Sequence, residues 1–317
     1  MLRQSKTIGQ NVRRGISMAL TFENRVAVVT GAGNGLGRSH AVLLGSLGAK
    51  VVVNDLGGST DGTGDDATVA DGVVAEIKAA GGDAVANPDS VTDGDKIIQC
   101  AMDTFGRVDI VINNAGILRD KSFHKMTDED WDLVYNVHLK GAYKTSRAAF
   151  PYMREQGYGR FVMTTSAAGI YGNFGQANYS ACKLALHGLS QTIAIEGRAK
   201  GVQSNTIAPL AASRLLGSVM TEEQMQILNP ALVSPLAVYL SHESCESTGG
   251  LYEVGAGWIS RLRWERTKGD YFNPKGFDVD DVAESFEKIS DFTDADHPDT
   301  VGYAMKAISQ NPMLGGS

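Results

Sequence analysis

An apolar run, RVAVVT at residues 25–30, breaks at TGAGNGLG, Thr30 to Gly37, and passes into a helical pattern beginning near Leu36. A strand, a glycine-rich turn and a helix in that order leave the chain few ways to fold. Gly31, Gly35 and Gly37 let the backbone turn sharply and come close to a pyrophosphate. The free N–H groups and dipole of the helix N-terminus attract that anion. Glycine-rich turns are common, but one placed between a strand and a helix has the context a dinucleotide site requires.

The rest of the chain is consistent with that start. Strand-like runs KVVVND at 50–55, DAVAN at 83–87 and RVDIVINN at 107–114 follow, then RFVMTT, VQSNTI and LYEV. Helical patterns at 66–80, 92–105, 129–156 and 177–200 separate them. Near-continuous apolar strands alternating with helices predict an α/β fold, a Rossmann-type doubly wound parallel sheet of about seven strands flanked by helices. LGGSTDGTGDD, 56–66, is too rich in glycine for regular structure and reads as a loop. After Gly257, WISRLRWERTKGDYF has the character of an appended segment, and the terminal LGGS that of a frayed end.

Asp55 ends the second strand eighteen residues beyond Gly37, where an acid can hydrogen-bond the adenosine ribose and repel a 2′-phosphate. Asn34 occupies a loop position where a basic residue would have favoured that phosphate, so the pattern points to NAD rather than NADP. Read alone, Asp55 would be a turn or helix cap.

Composition excludes several classes. A net charge of -7 without a basic, aromatic-rich patch argues against nucleic-acid binding. No apolar run is long enough to span a bilayer. Cys100, Cys182 and Cys245 are odd in number and far apart, which predicts free thiols in a reducing compartment. The six histidines form no local zinc pattern, so no metal is expected. Residues 1–22 carry Arg3, Lys6, Arg13 and Arg14 with no acid before Glu23, and Ile8, Val12, Ile16 and Leu20 recur every four residues. That leader reads either as a mitochondrial transit segment or as a basic tail that targets nothing.

YSACK places Tyr179 and Lys183 four residues apart, on one face of a helix, where an ammonium can favour an ionised phenol. Alone, the spacing also describes a surface lysine lying over a half-buried ring. Four signals accompany it in order: the glycine turn, NNAG at 113–116, Asn136 within YNVHLKGA, and Ser166 in TTSAAG. By themselves Ser166 would be a loop cap and Asn136 a polar interruption of a helix. Together, over residues 23 to the end of the sheet, they resemble the short-chain dehydrogenase/reductase family.

The resemblance implies a catalytic tetrad of Asn136, Ser166, Tyr179 and Lys183, with Asn114 and Gly116 lining the cofactor cleft. Tyr179 would take the alcohol proton and Ser166 would hydrogen-bond the reacting oxygen. Lys183 would favour the phenolate and hold the nicotinamide ribose, while Asn136 would hold a water leading protons to solvent. In many family members a Pro-Gly and a Thr follow the sixth strand and meet the carboxamide. Here Pro209 is kept, Leu210 replaces the glycine, and no Thr follows until Thr221, which puts that contact in doubt.

Further stretches, among them NDLGG, NNAGILRDKSF, GIYGNFGQANYSACK, HESCESTGGLYEVGAGW and LRWERT, resemble the (3R)-hydroxyacyl-CoA dehydrogenase units of peroxisomal multifunctional enzymes. This implies NAD-dependent oxidation of an acyl-CoA thioester in fatty-acid β-oxidation, functional coupling to an enoyl-CoA hydratase, and a homodimer packed through the helices at 129–156 and 177–200. It implies that residues 23–317 form a single unit, 258–317 being a family extension. Asp89 and Val91 would flank the adenine and Leu36 would lie along the cofactor; Asp89 could equally cap the next helix. The resemblance implies a peroxisomal address, although a terminal S-K-L is missing and the leader suggests mitochondria. The alternatives are a steroid or other secondary-alcohol dehydrogenase, and a non-catalytic NAD-binding interaction module.

Overall fold

The computed structural model describes residues 20–211 and 226–314. The basic leader up to residue 19 and Thr221 lie outside the described residues. Eight strands form one sheet: β1 (Val26–Thr30), β2 (Lys50–Asn54), β3 (Asp83–Asn87), β4 (Ile110–Asn113), β5 (Gly159–Thr164), β6 (Val202–Leu210), β7 (Leu251–Gly255) and β8 (Trp258–Leu262). Their order is β3-β2-β1-β4-β5-β6-β7-β8, and every pairing is parallel except β7 with β8.

The central strands β1, β2, β4 and β5 are mostly apolar because both faces are covered. On β1, Ala27 and Val29 join a core with Leu44, Val51, Val53, Val73, Ile77 and Leu236. Val26 and Val28 turn to the opposite core, with Ile97, Ile98, Phe161 and Leu186. The period-2 alternation of a strand thus serves two helical layers. One layer holds α1 (Gly35–Ser46), α2 (Thr68–Ala79) and the short α8 (Ser234–Leu240). The other holds α3 (Gly94–Phe105), α4 (Asp128–Tyr135), α5 (Gly141–Gln156) and α7 (Ala177–Gly197), while α6 (Ala167–Tyr171) packs on α7 above the sheet.

Two differences from the sequence reading affect the site or its rim. The helix expected over 129–156 is interrupted by a π-helical turn, Asn136–Lys140, in which the Gly141 N–H reaches back to the Asn136 carbonyl. One extra residue per turn rotates the register there, and such turns concentrate at functional positions. The second difference is β8, an eighth strand in what reads as an appendage. It returns from β7 through Ala256 and Gly257, both at positive φ (50° and 78°), a two-residue turn whose twist suits an antiparallel hairpin. Trp258 and Ile259 are each 52% exposed, so β8 lacks the buried run that marks the other strands. Beyond it, α9 (Val279–Ile289) and α10 (Gly302–Ser309) bury no residue and are joined to the rest of the extension by contacts such as Lys288–Asp270 and Tyr271 to the Ala307 carbonyl.

Candidate active site

The order of strands reverses between β1 and β4, so the loops leaving these two strands diverge and open a crevice at their carboxyl ends. Thr30, the last residue of β1, holds the crevice together. Its hydroxyl accepts from the N–H groups of Asn114 (3.0 Å) and Ala115 (3.1 Å). The Asn114 amide returns two bonds, to the carbonyls of Thr30 (3.0 Å) and Gly31 (3.1 Å). The glycine turn and the NNAG segment are therefore one hydrogen-bonded unit.

The glycines meet separate demands. Gly31 has φ of 62°, and a Cβ there would stand 2.8 Å from the Ala115 Cα. At Gly37 a Cβ would fall 2.2 Å from the Gly31 carbonyl oxygen and 2.6 Å from the Asn114 amide nitrogen. Gly35, at φ of 52°, faces open space. Asn34 precedes α1 in extended conformation without capping it, which leaves the first-turn N–H groups of α1 free toward that space. This donor-rich, side-chain-free cradle fits a pyrophosphate. A Gly37→Ala variant is expected to weaken NADH binding at least tenfold and to lower the melting temperature, read by NADH fluorescence and a thermal melt. Both effects follow from the backbone contact at Gly31.

Asp55 accepts from the N–H of Gly33 (2.7 Å) with one oxygen and from that of Gly57 (2.7 Å) with the other. It thus pins the glycine turn to the loop after β2, as a turn cap would, and its half-buried carboxylate remains at the end of β2 where a ribose would lie. Asp89 does not cap the following turn. Ser90 does, through the Thr92 N–H, while Asp89 accepts from the Asn87 amide (2.8 Å) and the Asn54 amide donates to its carbonyl (2.8 Å). Val91 is buried, and the partly buried Leu36 lies on the first turn of α1.

Across the crevice, Ser166 starts α6 and its hydroxyl accepts from the Ala168 N–H (3.2 Å), so the residue is a cap as well as a site candidate. Gly169 lets α6 approach α7 closely, since a Cβ there would meet the Lys183 Cβ at 2.7 Å. Half-buried Tyr179 sits on α7, and its phenol is held above its ordinary range by burial, which outweighs the opposing hydrogen bond from Ser166; Asp120 adds to the rise. One turn on, Lys183 is 3% exposed; burial pushes its ammonium down to about 7. Its Nζ donates to the Thr164 carbonyl (2.6 Å) and lies 5.4 Å from the centre of the Tyr179 ring. The charge sits over the ring face, and in the protein alone it does not bring the phenol down. Asn136, half-buried, opens the π-helical turn packed against α7.

Pro209 pairs with Val254, and Leu210, 46% exposed, ends β6 at the rim of the crevice. The rim loops are tied to one another. Leu118 donates to the Thr60 carbonyl (2.9 Å), Arg119 reaches the Asp61 carbonyl (2.6 Å), and Lys121 donates to the Gly175 carbonyl (2.8 Å). The three cysteines are free thiols, and no group of metal-ligating side chains occurs among the described residues. Nor is any helix among them long and apolar enough to cross a membrane. Sequence reading did not single out Thr30's clasp or His138, which is 3% exposed and meets the Tyr179 ring edge-on. Thr30 lies inside the glycine motif, but nothing local marks His138.

A switch-point crevice with a phosphate cradle on one side and half-buried Tyr179 beside buried Lys183 on the other defines an oxidoreductase that uses a nicotinamide cofactor. The chain belongs to the short-chain dehydrogenase family, whose defining pattern matches residues 25–223. It is 54% identical over 304 residues to peroxisomal multifunctional enzyme A of Dictyostelium discoideum, covering 95% of this chain and 68% of the relative. Among solved structures it is similar to full-length peroxisomal multifunctional enzyme type 2 from Drosophila melanogaster, at 42% identity and a TM-score of 0.79. That match covers 92% of this chain and 49% of the other. It is also similar to a 7α-hydroxysteroid dehydrogenase complexed with NADH and 7-oxo glycochenodeoxycholic acid, at 28% identity and a TM-score of 0.67, covering 75% and 95% of the two chains. The chain thus spans about two thirds of the first relative and about half of the second.

Proposed function

We propose that this chain oxidises (3R)-3-hydroxyacyl-CoA thioesters to 3-oxoacyl-CoA with NAD as hydride acceptor, a step of fatty-acid β-oxidation. The observation that carries the reading is the buried Tyr179–Lys183 pair facing the glycine cradle across one crevice. Its substrate class rests on the likeness to multifunctional enzymes over nearly the whole chain.

In this reading Tyr179 accepts the hydroxyl proton as the hydride leaves the carbinol carbon, so one proton and one hydride part from the substrate. Ser166 hydrogen-bonds the same oxygen in alcohol and ketone alike. Lys183, fixed by the Thr164 carbonyl, places a positive charge beside the phenol and reaches the nicotinamide ribose. Asn136 holds the water through which the proton leaves. NAD, when bound, would supply the hydride acceptor. Gly31, Asn34, Gly35, Leu36 and Gly37 take the pyrophosphate side, Asn114 and Gly116 the nicotinamide side, Pro209 the loop beyond it, and Asp89 and Val91 the adenine.

Asp55 selects NAD by accepting from the ribose hydroxyls and repelling a 2′-phosphate. Asp55→Ser is expected to raise KM for NAD about tenfold and to narrow the preference over NADP by a similar factor. Steady-state kinetics with both cofactors check this; an unchanged ratio contradicts the role.

The first test of the function follows NADH absorbance with (3R)- and (3S)-3-hydroxydecanoyl-CoA. Turnover of the (3R) thioester alone is expected; silence on both, with activity on a hydroxysteroid, moves the substrate to the alternative kept open by the steroid dehydrogenase likeness. The relatives' names support a peroxisomal setting, and the name of another, the peroxisomal hydratase-dehydrogenase-epimerase of Neurospora crassa, 49% identical over 298 residues, supports coupling to a hydratase. Trp131 and Tyr135 of α4, Tyr143 of α5, and Leu184 and Ile195 of α7 are exposed, which supports a homodimer through these helices. Light scattering that returns a monomer at micromolar concentration would contradict it.

A further inference from the structure

We propose that His138 is a positioning residue that locks the ring of Tyr179 to the cofactor-side turn 114–117, so that proton acceptor and nicotinamide pocket are set by one side chain. This rests on the oxidation proposed above and adds a residue to its machinery.

The imidazole stands at the junction of the two halves of the crevice. Its centroid is 5.2 Å from that of the Tyr179 ring with the planes at 87°, an edge-to-face contact that fixes the ring's tilt. On the other side, Nε2 meets Ile117, lying 3.0 Å from its N–H and 2.8 Å from its carbonyl, so either tautomer has one backbone partner there. Gly116 is a glycine for this ring's sake: a Cβ at that position would stand 2.4 Å from the His138 Cε1. The chain of contacts then runs from Gly116 and Ile117 through Asn114 to the Gly31 carbonyl, and so into the pyrophosphate turn.

His138 lies in the middle of the π-helical turn, with its ring enclosed between the Ile117 backbone and the Tyr179 ring. The environment also keeps the ring neutral. Burial, and then the Lys183 charge, push its pKa down to about 3, so it adds no second cation beside Lys183. Its Nδ1 has no partner among the described residues, a cost a merely space-filling side chain would not carry. The other titratable groups facing it are Tyr179 and Lys183 on α7; Lys140 on its own turn is exposed.

Three variants separate the two contacts. His138→Ala removes both, and is expected to lower kcat about 10- to 30-fold and to weaken NADH binding severalfold, because misplacement of a reacting group on the ångström scale costs of that order. His138→Phe restores the ring edge but not the Ile117 bond, so kcat returns to within about threefold of the unmutated protein while NADH binding stays weak. His138→Gln keeps an amide for Ile117 without the ring, so NADH binding recovers and kcat stays low. The pH dependence of kcat shifts with the Ala and Gln variants, which remove the ring edge that fixes the Tyr179 phenol, and not with Phe, which keeps it.

NADH affinity is read by fluorescence without substrate, so the experiment still reports if the thioester is the wrong substrate; failure of that reading shows as an inactive unmutated protein. A thermal-melt cycle adds a readout independent of activity: Gly116→Ala lowers the melting temperature, and does so less when combined with His138→Ala. Should Ala fail to fold, Phe and Gln alone carry the test. The proposal is overturned if Phe and Gln behave alike in kcat and NADH affinity, or if Gly116→Ala costs the same with and without the imidazole.

Discussion

Tyr179→Phe is expected to lower kcat by about 10³-fold or more while leaving NADH affinity within a factor of about two and the melting temperature near that of the unmutated protein. The asymmetry follows from the geometry. The ring supplies the packing, including the edge contact with His138, and phenylalanine keeps all of it. Only the hydroxyl is lost, the group proposed above to take the substrate's proton. Burial holds this phenol above its ordinary range, so its removal leaves no unsatisfied charge behind. Stopped-flow with a (3R) thioester, NADH titration and a thermal melt measure the three quantities. If kcat falls less than about tenfold, another group takes the proton and the assignment of Tyr179 is wrong; if NADH affinity collapses with it, the residue binds rather than reacts.

What could be read from the sequence was what is local along the chain. The glycine turn, Asp55 eighteen residues beyond it and the Tyr179–Lys183 spacing are each short patterns whose geometry depends on one or two elements. The alternating strands and helices were visible because the central strands β1, β2, β4 and β5 are buried on both faces and need largely apolar runs. β8 was missed because an edge hairpin with a half-exposed Trp258 and Ile259 has no such run. The π-helical turn was missed because YNVHLK satisfies an α-helical pattern equally well, and the packing of this turn against α7 is tertiary. Of the two roles the sequence set against each other for Asp55, the turn-pinning one is seen in its bonds from Gly33 and Gly57, and the ribose contact is the one proposed above. The protonation balance of the site was also illegible. Four-residue spacing predicts a lysine that lowers a phenol, whereas burial, a tertiary property, raises the phenol and lowers the ammonium.

That balance makes Lys183→Met informative in two directions at once. Loss of the Lys183 charge over the Tyr179 ring is expected to lower kcat about 10²- to 10³-fold, with no recovery on raising the pH, because methionine supplies no positive potential at any pH. The cofactor-free protein, by contrast, should become more stable at neutral and acidic pH. An unfolded lysine keeps its proton to 10.5, but the buried one releases it near 7. Between those values the unfolded chain binds more protons than the folded one, so stability rises with pH across that window. Below 7 both states carry the charge and the whole desolvation cost is present. The bond to the Thr164 carbonyl offsets about 1 kcal/mol of it. Removing the charge should therefore gain about 2 kcal/mol or more at pH 6, or several degrees in melting temperature, and the gain should shrink toward zero by pH 10. Melts of the two proteins from pH 6 to 10 test this directly. A variant less stable than its parent at pH 6 would mean that Lys183 is held as a favourable ammonium even without cofactor, and the burial argument for the pair would have to be abandoned.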